Sequence, residues 1–210
     1  MVPAQCPAMT TIEAILAILL GLPAPRDGEP VEARMSRLQT VATAISDAAD
    51  ESTCTGEYAT PECKPDWKGS PLDLAVLLAA NGYAESAFAK NVHEGKCRKD
   101  ECDPYHVGGK VYHRARTSWQ IQKTGLVTDQ EWHTMVGTDY RATFAAARVA
   151  TRILARGFRS CHTVHGAMSL FGGVQNCNWS GVDKRFLMYK KLLDKAKKLK
   201  DAKPEDGPNS

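Results

Sequence analysis

Apolar residues recur every three or four positions in several parts of the chain, the spacing that places side chains on one face of an α-helix. The clearest stretches are residues 10–20, 31–50, 71–88 and 184–200. An alanine-rich pattern over 139–156 ends at Gly157, and a shorter helical pattern covers 166–170. Strand-like alternation is confined to 117–122 and predicts a brief strand or turn. The pattern therefore predicts a mainly α fold with at most a short β region.

The segments between these helices suggest how the chain is divided. A linker rich in Pro, Gly and acidic residues runs from 24 to 30, and residues 51–71 shift to Cys, Thr, Gly, Pro and Asp, which is typical of loops. We therefore expect an N-terminal helical extension with a Cys- and Pro-rich linker over 1–69 and a main domain over 70–200. The tail over 201–210 is expected to be disordered from Pro204 onward.

The N-terminal part has neither a membrane span nor a typical leader. Its longest apolar run, Ile15 to Leu22, is far shorter than the roughly 20 residues that cross a bilayer. The first 12 residues lack Lys and Arg, and Glu13 interrupts the approach to the apolar run. Since a signal peptide begins with basic residues and continues without charge, the sequence favours an uncleaved N-terminal helix.

Charge is distributed unevenly along the chain. Residues 1–70 hold 5 basic and 10 acidic side chains, a net −5, whereas residues 71–210 hold 22 and 14, a net +8. Much of the excess lies on the last helix, in Lys184, Arg185, Lys190, Lys191, Lys195, Lys197, Lys198 and Lys200. These residues form either a solvated helix face or a weak contact with an anionic cell envelope. Aromatic residues are not interleaved with them, which disfavours nucleic acid as a partner.

Six of the seven cysteines fall into close pairs along the sequence, and Cys6 is left over. The pairs are Cys54/Cys63, Cys97/Cys102 and Cys161/Cys177. Close pairs in loops form disulfides in an oxidising compartment. The alternative is a zinc site made by Cys97, Cys102, His106 and His113, but these spacings fit no common zinc pattern. Disulfides or free thiols are therefore expected, and no metal. Six cysteines allow 15 pairings, of which the pairing of neighbours is the one we adopt.

Glu85 lies on the apolar face of the helix predicted over 71–88. The other members of this face are Leu74, Leu78, Asn81 and Phe88. Because burial disfavours the ionised form, the pKa of the carboxyl group is expected to rise. A carboxyl group that stays protonated near neutral pH can donate a proton in catalysis. The alternative is a glutamate that faces solvent or pairs with a nearby cation such as Lys90.

Short motifs follow one another in a fixed order. They are Glu85-Ser86-Ala87-Phe88 near the end of an apolar helix, Ser118-Trp119-Gln120-Ile121, and, after an alanine-rich helix, Ala167-Met-Ser-Leu-Phe171-Gly-Gly. Together, over about residues 71–192, they resemble the lysozyme-like superfamily. Within it the chain is most similar to the soluble lytic transglycosylases and the phage muralytic enzymes.

This resemblance implies a monomeric enzyme, without a cofactor, that cleaves the β-1,4 bond between N-acetylmuramic acid and N-acetylglucosamine in the glycan strands of peptidoglycan. Glu85 would protonate the glycosidic oxygen, Ser86 would position the acid or the substrate, and Gln120 would contact the acid or the sugar. Ser118, Trp119 and Phe171 would also bind substrate, although Trp119 fits a core position equally well. The site of action would be the periplasm or cell wall, reached by secretion, by phage lysis or on a virion.

A second carboxylate decides between two mechanisms. A hydrolase needs one, and the candidates are Glu94, Asp100, Glu101 and Asp103, with Glu94 preferred. Lytic transglycosylases use one glutamate because the substrate's own 6-hydroxyl attacks. Since no second acid lies in a motif, a transglycosylase is slightly favoured over a muramidase.

The motifs also depart from those of the relatives. Phe171 stands where many members have tyrosine, Gly172 replaces a common asparagine, and Thr117 replaces a frequent glycine. These departures leave an alternative open: a catalytically inactive lysozyme-like module that binds cell wall or serves as a virion component.

Overall fold

The computed structural model describes residues 9–202. Within this range the α-helices are α1 (Thr11–Leu20), α2 (Val31–Thr53), α3 (Pro71–Ser86), α4 (Lys90–His93), α5 (Asp129–Thr134), α6 (Tyr140–Cys161), α7 (Val164–Phe171) and α8 (Asp183–Asp201). Two antiparallel pairs of strands are β1 (Pro104–Val107) with β2 (Lys110–His113), and β3 (Ala115–Arg116) with β4 (Ile121–Gln122). Helices account for 59% of the described residues and strands for 6%, which confirms the mainly α prediction.

Helix α3 is the centre of the fold. All residues from Leu74 to Gly82 are buried, so the helix has no solvent face over this length. It packs against α2 and α8, and also against α1 and α6. The N-terminal helices α1 and α2, expected as an extension, contribute Ile15 and Leu38 to the same hydrophobic cluster as α3 and α6. The helical core is therefore continuous across residue 70.

The helices begin where the sequence offers capping residues. The Ser70 hydroxyl accepts a hydrogen bond from Asp73 N at 3.0 Å, and Pro71 occupies the first position of α3, where its missing N–H costs nothing. Asp139 caps α6 in the same way through Ala142 N. Helix α3 ends at Ser86 because Ala87 and Phe88 adopt left-handed backbone conformations, with φ of 50° and 52°.

The predicted end of α6 at Gly157 is wrong, because the helix continues to Cys161. A Cβ atom at Gly157 would lie 2.9 Å from Ala167 Cα and 3.0 Å from its carbonyl oxygen. The glycine is thus required by the close approach of α6 and α7, not by a helix end.

The predicted loop over 91–116 also contains regular structure. It holds the end of α4 and the β1–β2 hairpin, which turns at Gly108 and Gly109. Helix α5 was not predicted at all. These elements are short, and short elements leave little periodicity in a sequence. Cys6 and the expected disordered tail from Pro204 lie outside the described residues.

The three expected disulfides are all present: Cys54–Cys63, Cys97–Cys102 and Cys161–Cys177. The zinc alternative thereby loses its two thiolate ligands, since Cys97 and Cys102 are bonded to each other. Three disulfides fit a protein that works in an oxidising compartment. Over residues 9–202, no helix combines the length and the apolar character needed to cross a membrane.

A buried polar network joins four separate segments. Arg37 of α2 donates to both carboxylate oxygens of Glu29, at 2.9 and 2.6 Å, with side chains only 4% and 2% exposed. Arg37 also contacts His93 Nδ1 at 3.4 Å, and His93 Nε2 lies 3.0 Å from Thr143 Oγ1. Because Thr143 donates to the Asp139 carbonyl, His93 must donate from Nε2 and accept at Nδ1, as a neutral ring does.

We expect Gly82→Ala to destabilise the fold. A Cβ atom there would lie 2.5 Å from Phe88 Cζ and 2.9 Å from Trp119 Nε1, and both rings are fully buried. Alanine gains roughly 1 kcal/mol in helix propensity over glycine, but the clash should outweigh this gain. We expect the free energy of unfolding to fall by about 1–3 kcal/mol in total. Urea unfolding measures it. Gly125→Ala is the control, since nothing lies within 4 Å of its Cβ position; equal effects of the two substitutions would contradict the expectation.

The buried histidine predicts how stability depends on pH. Burial, reinforced by the Arg37 charge, lowers the pKa of His93 from 6.5 to about 3. Between these values the unfolded chain binds the extra proton, so the free energy of unfolding falls as the pH decreases. Urea unfolding of the wild type and of His93→Gln between pH 7 and about 4 should show a smaller pH dependence in the variant. An unchanged slope would count against the neutral buried ring.

Candidate active site

A cleft of about 1020 Å³ opens beside the C-terminal end of α3. Its wall is built from that helix end, the loop before β1, the segment around β4 and the C-terminal ends of α6 and α7. Four of the predicted site residues line it: Glu85, Ser86, Gln120 and Phe171. The fold thus brings together residues from all three sequence motifs.

Glu85 lies on the last turn of α3, where the buried helix reaches the cleft. Its side chain is 19% exposed, and Arg185 of α8 donates from Nη1 to Glu85 Oε1 at 2.6 Å. The same Nη1 donates to Asn81 Oδ1 at 2.8 Å. Burial raises the pKa of Glu85, while the charge and hydrogen bond of Arg185 oppose the rise. The net direction is upward, as the sequence predicted; the ion-pair partner is Arg185 and not Lys90.

Ser86 fixes the end of α3 to the opposite segment. Its hydroxyl donates to the Ser118 carbonyl at 2.8 Å and accepts from Phe88 N at 3.1 Å. The second bond holds the backbone where the helix ends, and the first ties it to the segment that carries Gln120. Ser86 therefore helps to set the position of the turn that carries Glu85.

Gln120 and Phe171 line the same cleft as Glu85. Gln120 has a left-handed backbone, with φ of 51°, and its Nε2 donates to the Thr117 carbonyl at 3.2 Å and to Cys102 Sγ at 3.4 Å. Phe171 is the last residue of α7 and is half-buried. Both side chains are available to a ligand in the cleft, and no hydrogen bond joins Gln120 to Glu85 within the described structure.

The prediction that Ser118 and Trp119 bind substrate needs correction. Both side chains are fully buried, and Trp119 Nε1 donates to the Leu78 carbonyl at 2.9 Å. The Trp119 ring meets Phe88 edge-on, with centroids 5.7 Å apart. Trp119 is thus a core residue, which was the alternative left open by the sequence. Ser118 and Trp119 lie in the core beneath the cleft wall and do not face the cleft.

The preferred second carboxylate is also corrected. Glu94 does not line the cleft; it pairs instead with Lys96 at 2.9 Å. The other three candidates, Asp100, Glu101 and Asp103, do line it. Glu101 accepts from Asn91 Nδ2 and Arg98 N, and Asp103 accepts from Gln122 Nε2. The loop before β1 thus gives the cleft an acidic wall.

Sequence reasoning missed the ion-pair partner of Glu85, Arg185, and the second acceptor of that guanidinium, Asn81. Arg185 is 100 positions away and was hidden among the basic residues of the last helix. Asn81 is four positions before Glu85 on the same helix face, so the sequence predicted that the two residues are close. It did not predict that Asn81 accepts a hydrogen bond from Arg185. Arg156 of α6 also lines the cleft and was not predicted. Only the packing of α8 and α6 on α3 reveals these contacts.

Neither metal-ligand geometry nor similarity to known proteins points to a function for this site. Within residues 9–202, no group of three or more His, Cys, Asp and Glu side chains is placed to hold a metal ion. Comparison of the chain with protein-family models, curated proteins and solved structures finds no match. The site is therefore interpreted from its own geometry and from the sequence motifs.

We expect Arg185→Met to raise the pKa of Glu85 further, because the substitution removes the charge that favours the carboxylate. A ¹³C NMR titration of the Glu85 carboxyl carbon measures the change. Lys184→Met removes the adjacent, exposed cation and serves as the matched control, with little effect expected. Equal titration curves for the two variants would show that the ion pair does not control this carboxyl group.

Proposed function

We propose that the protein cleaves the β-1,4 bond between N-acetylmuramic acid and N-acetylglucosamine in peptidoglycan, with Glu85 as the general acid. The observation that carries the proposal is a largely buried carboxyl group, its pKa raised by burial, on the wall of a cleft of about 1020 Å³. The order of the motifs, which resembles lysozyme-like enzymes, supplies the substrate class.

The chemistry requires Glu85 to change its protonation state twice. In its neutral form the carboxyl group donates a proton to the glycosidic oxygen as the bond to C1 breaks. In a lytic transglycosylase, the 6-hydroxyl of the same muramic acid then attacks C1 and returns a proton to the Glu85 carboxylate. The product is a 1,6-anhydro sugar, the catalyst is regenerated, and no water is consumed.

Arg185 suits both halves of this cycle. It stabilises the carboxylate that remains after the first proton transfer, because its guanidinium already donates to Glu85 Oε1. When Glu85 is protonated, Arg185 still has an acceptor in Asn81 Oδ1 at 2.8 Å. The guanidinium is therefore never left without an acceptor, whichever form Glu85 takes.

We favour a lytic transglycosylase over a muramidase hydrolase. Three acids besides Glu85 line the cleft, and two of them, Glu101 and Asp103, already accept hydrogen bonds that hold the loop before β1. Asp100 is the acid left for a hydrolytic role, in which it would activate water or stabilise positive charge at C1. The end groups of the products distinguish the mechanisms: anhydro ends for the transglycosylase, reducing ends for the hydrolase.

A second candidate function is binding without turnover. It is favoured by the direct ion pair of Glu85, since Arg185 favours the ionised form that cannot donate a proton. It is also favoured by Gln120, which bonds to Thr117 and not to the acid. In that case the protein would be a cell-wall-binding or virion structural module with the same cleft.

The place of action follows from the same proposal. The three disulfides support a periplasmic or extracellular site, reached by secretion, by phage lysis or on a virion. Lys191, Lys195 and Lys198 are exposed on α8 and would add a weak attraction to an anionic envelope.

Digestion of purified peptidoglycan tests the proposal. We expect the wild type to release muropeptides with anhydro ends and Glu85→Gln to lose at least about 100-fold in rate, because general acid catalysis contributes that much. Mass spectrometry identifies the fragments and their ends. Glu94→Gln, which changes a carboxylate outside the cleft, should keep full activity.

Other outcomes have distinct meanings. If the wild type binds peptidoglycan but releases nothing, the non-catalytic module takes the place of the enzyme. Release of reducing ends that Asp100→Asn abolishes would identify a hydrolase. Equal rates for the wild type and Glu85→Gln would remove Glu85 from the mechanism.

A further inference from the structure

The β1–β2 hairpin carries an aromatic face that covers no part of the core. Tyr105 pairs directly with Tyr112, and Val107 with Lys110, so these four side chains share one face of the ladder. Val107 is 58% exposed and Tyr112 is 43% exposed. Neither hydrophobic cluster of the described chain includes a residue of β1 or β2. Core packing therefore does not account for this face.

The face is held in a fixed shape. The rings of Tyr105 and Tyr112 stack with centroids 5.5 Å apart, and the Arg114 guanidinium lies 4.9 Å from the centre of the Tyr105 ring. The turn at Gly108 and Gly109 has positive φ at both positions, as a tight two-residue hairpin requires. Tyr105 is thus held by two neighbours, while Tyr112 keeps ring surface exposed to solvent. Because Tyr112 is already stacked on Tyr105, ordering the Tyr112 side chain on binding costs little entropy.

The hairpin adjoins the cleft wall at both of its ends. Asp103 before β1 and Ala115 after β2 both line the cleft. The base is closed by bonds from Arg114 N to the Asp103 carbonyl and from Ala115 N to the Cys102 carbonyl, and Cys102 is fixed by its disulfide to Cys97. Four residues per strand span roughly 13 Å. A polymer longer than the cleft could therefore continue onto the hairpin.

We propose that the face formed by Tyr105, Val107, Lys110 and Tyr112 binds the peptidoglycan glycan strand where it leaves the cleft. This inference rests on the proposed function and extends it: the hairpin would make the protein prefer long strands over short fragments. A pyranose ring presents one face of C–H groups, which packs on the open Tyr112 ring. The cations Lys110 and Arg114 suit the carboxylates of the stem peptides that branch from the strand.

The charges near the hairpin favour this occupant over others. Single-stranded nucleic acid also stacks on aromatic rings beside basic groups. However, the hairpin base and adjoining cleft carry Asp100, Glu101 and Asp103, which would repel a phosphate backbone continuing into the cleft. A glycan backbone is uncharged and meets no such repulsion. A protein or membrane contact would require a larger apolar patch than two tyrosines and a valine.

The test is a binding titration with the full chain carrying Glu85→Gln, so that substrate is not consumed. Purified glycan strands, sorted into fragments that fit the cleft and strands several times longer, are the probes. We expect long strands to bind more tightly, and Tyr112→Thr to weaken their binding about 5- to 10-fold while leaving short fragments unchanged, because one aromatic contact is lost. Threonine, like tyrosine, is favoured in strands, so the hairpin should still form.

Two further variants separate ring loss from general damage. Tyr112→Phe keeps the ring and should bind long strands like the parent. Tyr140→Ala removes a tyrosine of similar exposure, 42%. Tyr140 lies about 20 Å along α6 from Ile153, the first residue of that helix to line the cleft. The Tyr140→Ala variant should therefore also bind long strands like the parent.

Each remaining result has one meaning. Equal binding of long strands by the parent and by Tyr112→Thr, with short fragments still bound, overturns the hairpin proposal alone. Failure of the parent to bind any fragment overturns the peptidoglycan assignment itself, and the hairpin proposal with it. Binding of an oligothymidine that Tyr112→Thr abolishes would overturn the glycan as the occupant.

Discussion

The burial of α3 on all sides is the constraint on which the rest of the structure depends. A helix that is enclosed from Leu74 to Gly82 must be surrounded by others, and α1, α2, α6 and α8 fulfil this requirement. The enclosure ends at the last turn, where the helix reaches the cleft and presents Glu85. One helix therefore supplies both the core and a partly desolvated carboxyl group. The raised pKa of Glu85 is a consequence of that architecture.

The electrostatics of the site depend on a balance between burial and one cation. Burial favours the neutral acid, and Arg185 favours the carboxylate. Because Arg185 comes from α8, the last helix of the described chain, the packing of α8 on α3 decides the ionisation of a residue 100 positions earlier. Asn81 adds a second acceptor for the same guanidinium nitrogen. A change in this packing would therefore alter the pKa of Glu85 together with the core.

Sequence periodicity predicted the long helices because their apolar spacing is strong. It failed where a local residue had a tertiary purpose: Gly157 resembles a helix end but permits α6 and α7 to touch through Ala167. It also placed Trp119 only ambiguously, since an aromatic residue in a motif fits a cleft as well as a core. For the site, the sequence motifs pointed to Glu85, Ser86, Gln120 and Phe171, and the fold places these four residues on one cleft. Arg185 was not predicted, because pairs distant in sequence leave no local pattern.

The disulfides link only near neighbours in the sequence, with separations of 9, 5 and 16 residues. Loops this short restrict the unfolded chain modestly, by about 2–3 kcal/mol each in the chain-entropy description. The large hydrophobic cluster of the described residues includes no cysteine, whereas Cys97–Cys102 braces the cleft wall beside Gln120. The redox state of the medium is therefore coupled to the shape of the cleft. Reduction of Cys97–Cys102 would remove the covalent brace from the wall beside Gln120, whereas the packing of α3 against its neighbouring helices involves no cysteine.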